Sequence, residues 1–333
     1  METRKLQKTG GSTYIVSLPK SWVVSSKLKE GDSVSMVVDN AGLLTLDPSL
    51  GSKMLSSRAE IWLDEDEVGQ HLFRRLIGLY ISGHDEIVVR GKARIPPDIR
   101  KVVRDFARKV IGSEIVEESG NMIAIQDVAD HSHLDMRKLI KRMHLMSKSM
   151  HADAMEALLE SNAVLAEDVL LRDDEVDRLY WFVAKQQSMI LRNPAVARKM
   201  NLGVSEASFY LSAAKAIERI ADHAARIAHS ANALSSEKLS DKLVKDMQSY
   251  ASTVLSILDR SVESLVNADL RKANKVADES EELRKHGERL IEQIMTHKVK
   301  LAVPLSRVVE SIERTALYSV DIAEIAINLA EMD

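Results

Sequence analysis

The stretch IERIADHAARIA, residues 217–228, decides how this chain is read. Its apolar residues recur at helical spacing, yet Glu218 and Asp222 stand four residues apart and so share one helix face as like charges. Such a pair costs an isolated helix about 0.2–0.5 kcal/mol. A partial copy, IERTALYSVDIA, occupies residues 312–323, an offset of 95 residues. A helix that keeps an unfavourable pair and is then echoed points to a duplicated unit with a use for the charges.

The totals set the bounds. The chain has 333 residues, enough for two or three domains. Its formal net charge of -4 gives no global basic signature, so any nucleic-acid contact must come from a local patch. There is no cysteine, which removes disulfides, thiolate zinc sites and cysteine nucleophiles together and fits a reducing cytosol. The N-terminal METRKLQKTGG lacks the apolar core of a signal peptide, and no apolar run approaches the roughly 20 residues of a membrane span. The expectation is a soluble, cytoplasmic protein without membrane insertion. Aromatics make up 4%, so the cores must be built from Leu, Ile, Val, Ala and Met.

Three zones follow from the patterning. Residues 1–53 are rich in β-branched residues and turn signals, with a hairpin expected around Asp39-Asn40-Ala41-Gly42. Residues 57–128 alternate strand and helix signals in the order β-α-β-α-β-β, which predicts a small α/β connector domain. Its first helix is expected at about Glu65 to Ser82; Pro96 and Pro97 open a second that Gly112 can close. Residues 134–331 read as all-helical, with six helices at about 135–160, 163–192, 204–234, 239–267, 270–297 and 304–331. Leu243, Met247, Tyr250, Val254 and Ile257 alternate steps of four and three, the seam of a bundle. The echo divides this zone into two three-helix repeats, about 135–234 and 239–331.

The acidic spacing recurs on partner helices. Asp173 and Asp177 are four apart in RDDEVDRL, so two antiparallel helices could surround a cation with four carboxylates. Oxygen ligands favour Mg, Mn, Fe, Ca or Zn over Cu(I). In the second repeat Asp278, Glu282 and Glu313 take the same places, while Leu317 replaces the equivalent of Asp222 and Asp321 is the one substitute at hand. An ordinary solvated face is the competing reading, since Asp222 and Arg226 are also spaced as an i, i+4 ion pair. His223 is read as solvated or hydrogen-bonded, and His131 and His133 as a weak metal motif beside Asp130.

AIERIADHAARIA resembles the signature helix of the PhoU family, Leu-Glu-Arg-Ile-Gly/Ala-Asp-His-Ala-x-Asn-Ile-Ala-Glu, and the resemblance covers about 135–331. It implies a duplicated three-helix bundle and a role in phosphate-responsive control of uptake. It also implies bound iron or zinc, with Mg or Mn as alternatives, held by Asp173, Asp177, Glu218 and Asp222. Asp278, Glu282, Glu313 and Asp321 match more loosely. Arg226 stands where the family pattern has Asn, and Leu317-Tyr318 replaces Asp-His.

The N-terminal zone is similar to AbrB/MazE (SpoVT-like) swapped-hairpin domains in the order Lys8-Thr9-Gly10-Gly11-Ser12, Leu18-Pro19-Lys20, a short helix, then Gly31-Asp32. That resemblance implies a homodimer that interleaves two chains. Arg4, Lys5, Lys8, Lys20, Lys27 and Lys29 face one acid, Glu2, in the first 29 residues. Lys5, Lys8 and Lys20 are candidate DNA-phosphate contacts and Arg4 a candidate base reader. No phosphate-binding Gly-x-x-x-x-Gly-Lys loop and no Gly-x-Ser-x-Gly elbow is present, so no enzyme is expected. The leading expectation is a dimeric transcriptional regulator of phosphate uptake. The alternative is a cytosolic adaptor of a phosphate transporter subunit or a sensor kinase.

Overall fold

The computed structural model describes residues 2–38, 42–48, 57–130, 134–234 and 239–332. It divides into two compact units, Met1–Ser56 and Ser57–Asp333. In the first unit β1 (Gln7–Thr9) pairs antiparallel with β2 (Thr13–Ile15), around a turn where Gly10 takes φ +62°. Helix α1 (Lys20–Ser25) follows, and then β3 (Ser35–Val38) pairs antiparallel with β4 (Leu44–Asp47). The expected Asp39-Asn40-Ala41 turn lies outside the described residues. The two hairpins form separate two-stranded sheets, and α1 buries no residue. Isolated two-stranded sheets are marginal in water. Here Tyr14, Val24 and Met36 are 61%, 66% and 68% exposed, with Ile15, Val16, Val38, Leu43 and Leu44 also on the surface.

The second unit begins with a four-stranded sheet in the order β5-β6-β8-β7, from β5 (Arg58–Trp62), β6 (Glu86–Arg90), β7 (Ser113–Glu118) and β8 (Met122–Asp127). β5 and β6 run parallel through the crossover helix α2 (Gly69–Ile81), and β8 runs antiparallel to both neighbours. Leu72, Leu76 and Tyr80 of α2 and Ile99, Val103 and Phe106 of α3 (Pro97–Lys109) recur at helical spacing and are buried with Ile61, Ile87, Val89, Ile123 and Ile125 of the strands. α2 starts at Gly69 rather than Glu65, because Val68 before it is extended. Gly112 does not close α3, which ends at Lys109. It makes the turn into β7 at φ +84°, where a Cβ would lie 2.5 Å from Ala129.

From Met136 the chain is helical: α4 (Met136–Glu160), α5 (Ala163–Arg192), α6 (Pro194–Met200), α7 (Val204–Leu234), α8 (Asp241–Asn267), α9 (Leu270–Asp278), α10 (Ser280–Ile294) and α11 (Val299–Ala330). Side chains cap several starts: Asp135 accepts from Arg137 N–H, Asn162 from Leu165 N–H and Ser240 from Leu243 N–H. One short helix is added to the six expected, and two of the six differ. Asn193-Pro194 opens the short helix α6, since Asn193 accepts from Ala195 N–H and the proline sits at the first turn. The fifth helix divides at Glu279, whose two carboxylate oxygens accept from Arg260 at 2.6 Å each. The last helix begins at Val299, with Pro304 inside it.

The two repeats are α4-α5-α7 and α8-α9/α10-α11, with α7 and α11 packed on one another at the centre. The Ala-rich face of α7, including Ala213, Ala214, Ala221, Ala224 and Ala228, is fully buried and admits close helix approach. The sheet and the bundle share one hydrophobic core. Phe73 of α2 meets Trp181 of α5 edge-on at 6.4 Å, and Lys109 donates to Asp174 at 2.5 Å. Lys185 of α5, 1% exposed, forms a buried ion pair with Asp127 of β8 and lies 4.4 Å from the Tyr80 ring. Among the described residues no helix is long and apolar enough to cross a membrane.

Candidate functional site

Helices α5 and α7 pack side by side and bring the first four acids into one electrostatic cluster. Burial, then Asp222, Asp174 and Glu218, push the Asp173 carboxyl up to about 6. Burial, then Glu218, Asp173 and Asp222, push Asp177 up to about 7. Glu218 is 8% exposed; burial raises it while Lys215, which donates to both carboxylate oxygens at 2.7 Å, holds it down. Lys215 also stands 4.8 Å from the Tyr180 ring, which fixes it beside the cluster. Asp173, Asp177 and Asp222 have no hydrogen-bond or ion-pair partner among the described residues.

The charge pattern of these four carboxylates fits a hard or borderline cation, which would offset their mutual repulsion. Their side-chain positions are a looser fit: among the described residues no three His, Asp or Glu side chains converge as metal ligands. Glu218 is turned onto Lys215, so a shared ion requires it to release that lysine.

The second quartet is not assembled in this way. Asp278 is the exposed last residue of α9 and Glu282 lies exposed in the first turn of α10, on the two sides of the break at Glu279. Glu313 borders a small cavity with Tyr250 and Arg284, where burial and the nearby Glu313 charge raise the Tyr250 hydroxyl. Asp321 is raised by burial and lowered by Arg219 of the first repeat, not tied to Asp278 or Glu282. Leu317, 43% exposed, holds the place of Asp222.

Two buried histidines lie nearby, and one of them departs from its expected environment. His223 is 5% exposed and its Nδ1 has no partner, because α7 is enclosed on nearly every side by its neighbours. Burial, then Arg226, Arg314 and Arg219, push it down to about 4. His151 of α4 is fully buried, with Nε2 3.0 Å from Thr315 Oγ1, and is pushed down to about 4 by burial and then by His223. The sequence signal for His151 is its place on the apolar seam Ser147, Met150, His151, Ala154, Leu158. His131 and His133 lie outside the described residues.

In the first unit Arg4, Lys5, Lys8 and Lys20 are all exposed. Arg4 donates to Glu2 at 2.8 Å, whereas Lys5, Lys8 and Lys20 have no ion-pair partner among the described residues. Lys8 stands on β1 opposite Tyr14, and Lys20 opens α1 after Pro19.

The PhoU domain model matches residues 140–231 and 247–326, more than half of the chain. The antidote-toxin recognition MazE family, a bacterial antitoxin family, matches residues 7–51. The phosphate-specific transport system accessory protein PhoU homolog of Clostridium acetobutylicum is 23% identical over 163 residues, 48% of this chain and 72% of that protein. The PhoU homolog 1 of the same description from Thermotoga maritima is 25% identical over 150 residues, 43% of this chain and 62% of its own length. The crystal structure of PhoU from Pseudomonas aeruginosa superposes with a TM-score of 0.54 at 19% identity, covering 60% of this chain and 96% of that one. That likeness establishes the bundle fold.

Proposed function

Because the chain belongs to the PhoU family, we propose that it is a phosphate-responsive transcriptional regulator whose first unit binds DNA as an interleaved homodimer. The observation that carries this reading is the first unit itself, which exposes the apolar side chains of both hairpins and of α1 and has no buried core among the described residues. A second copy supplies the missing surface, and burial of roughly 100 Å² of apolar side chain is worth about 2.5 kcal/mol. Pairing also doubles the exposed set Arg4, Lys5, Lys8 and Lys20 on one body, as phosphate neutralisation requires. The MazE match over residues 7–51 supports the same assembly.

In the bundle, Asp173, Asp177, Glu218 and Asp222 would hold a cation, iron or zinc first and Mg or Mn otherwise. The support is their shared electrostatic penalty, which a bound cation would relieve. Cation or partner binding there would alter DNA affinity. A salt-dependent gel shift tests the DNA reading: the slope of log K against log salt shrinks by roughly 0.9 for each DNA phosphate that is no longer neutralised. Lys5→Ala with Lys8→Ala should weaken binding across all sequences; no binding at low salt, or binding unaffected by the pair, sinks it. Elemental analysis of protein purified without chelator tests the cation, and metal content unchanged by Asp222→Ala rejects these ligands. A second reading, an adaptor of a phosphate transporter subunit or sensor kinase whose first unit only dimerises, draws on the transport-system names of the two relatives. It is the reading left standing if DNA is not bound.

A further inference from the structure

A cavity of about 370 Å³ opens between α7 and α11, beginning one helical turn beyond Asp222. Arg226, His229 and Ser230 line it from α7, and Arg307, Glu310 and Ser311 from α11. Its volume lies in the range of small-molecule sites, about 300–1,000 Å³. Neither Arg226 nor Arg307 has an ion-pair or side-chain hydrogen-bond partner among the described residues. That sets them apart from Arg260, clamped on Glu279, Arg100 and Arg104 on Glu118, and Arg172 on Asp153. Glu310 is the carboxylate on the wall, and it forms no ion pair within 4 Å among the described residues. Two guanidiniums thus face one carboxylate.

Two buried serines lie beneath these charged side chains, and Pro304 completes the lining. Ser230 and Ser311 are 7% and 3% exposed, and the Ser230 hydroxyl donates to the Arg226 carbonyl at 3.1 Å. The surroundings carry a positive field: Arg226, Arg314 and Arg219 all act against protonation of the buried His223. The second repeat has no such site, since Asp321 stands where the echo would place Arg226 and Ser212 where it would place Arg307. Arg226 is also the departure from the signature-helix pattern noted in the sequence.

We propose that this cavity binds a phosphate group, with Arg226 and Arg307 as its clamp, His229 as a third donor and the serine hydroxyls beneath. A planar guanidinium presents paired N–H donors that match two oxygens of a phosphate, and two of them without a carboxylate partner are free to pair with a dianion. The source of the group is either orthophosphate itself or the ester of a small phosphorylated metabolite, for which the volume leaves room.

Calorimetry on the full chain kept in EDTA tests the site, so that phosphate bridging to a metal is not what is read. The probes are orthophosphate and glycerol 3-phosphate. The expected result is one site per chain for at least one probe, weakened at least tenfold by Arg226→Gln and beyond detection in Arg226→Gln with Arg307→Gln. Arg74→Gln, an exposed arginine on α2, should leave it unchanged, and both clamp variants should keep the wild-type melting curve because their side chains are exposed. Binding of orthophosphate assigns the free ion, and binding of the ester alone assigns a metabolite. No binding of either probe at millimolar concentration, or equal affinity in the double variant, overturns the proposal. The assay contains no DNA and no metal, so its failure and that of the regulator reading are separate results.

Discussion

Replacing Asp177 by Asn should stabilise the metal-free protein at alkaline pH. Asp177 sits among Glu218, Asp173 and Asp222, and its carboxyl is raised from 3.8 to about 7. At about 1.36 kcal/mol per pKa unit the shift corresponds to a limit of about 4 kcal/mol. Asp177 is only partly buried, and screening by water and ions brings the expected effect to about 1–2 kcal/mol. The native state holds this proton more tightly than the unfolded chain. The associated stability is therefore complete below pH 3.8 and is lost as pH rises through about 7. His151 and His223 act in the opposite sense: both are lowered from 6.5 to about 4, so their contribution is present above pH 6.5 and is lost as pH falls toward 4. The wild-type curve mixes both effects, and the difference between wild type and variant isolates the aspartate. Urea unfolding followed by helical circular dichroism, in EDTA, should give a gain of about 1–2 kcal/mol at pH 8 that vanishes near pH 4. A variant less stable than wild type at pH 8, or a difference independent of pH, would refute the electrostatic reasoning.

Two further outcomes follow from the packing. Lys185→Met leaves Asp127 buried without its ion pair and should cost about 3–5 kcal/mol, with Asp127→Asn restoring part of the loss. A cost below about 1 kcal/mol in thermal or urea unfolding contradicts a buried pair joining sheet to bundle. Val24→Asp places a charge on the exposed apolar surface of the first unit and should shift the mass by light scattering from dimer to monomer while the helical signal is kept. An unchanged mass removes that surface from the proposed dimer contact.

The sequence carries the duplicated bundle because the echo of residues 217–228 at 312–323 is a covalent fact that any packing must respect. The β-α-β-α-β-β order is legible for a similar reason: apolar periodicity and the Pro96-Pro97 start are local. What is not legible depends on neighbours. The break at Glu279 coincides with a grip by Arg260, 19 residues away, and no periodicity within 270–297 signals it. It is this break that separates Asp278 from Glu282. The sequence shows His223 only within its own helix, whereas its burial is set by α4 and α11 closing over α7. Asp173, Asp177, Glu218 and Asp222 can be grouped from sequence because i, i+4 spacing fixes a face and antiparallel packing of two helices in the same repeat does the rest.

Regulation at DNA in response to phosphate is tested most directly by mapping the DNA occupied by this protein in cells grown with and without phosphate. Enrichment at discrete promoters, including those of phosphate-uptake genes, with occupancy that changes between the two conditions, is the result expected. Occupancy no greater than background in both conditions, or sites unaltered by phosphate, would contradict it.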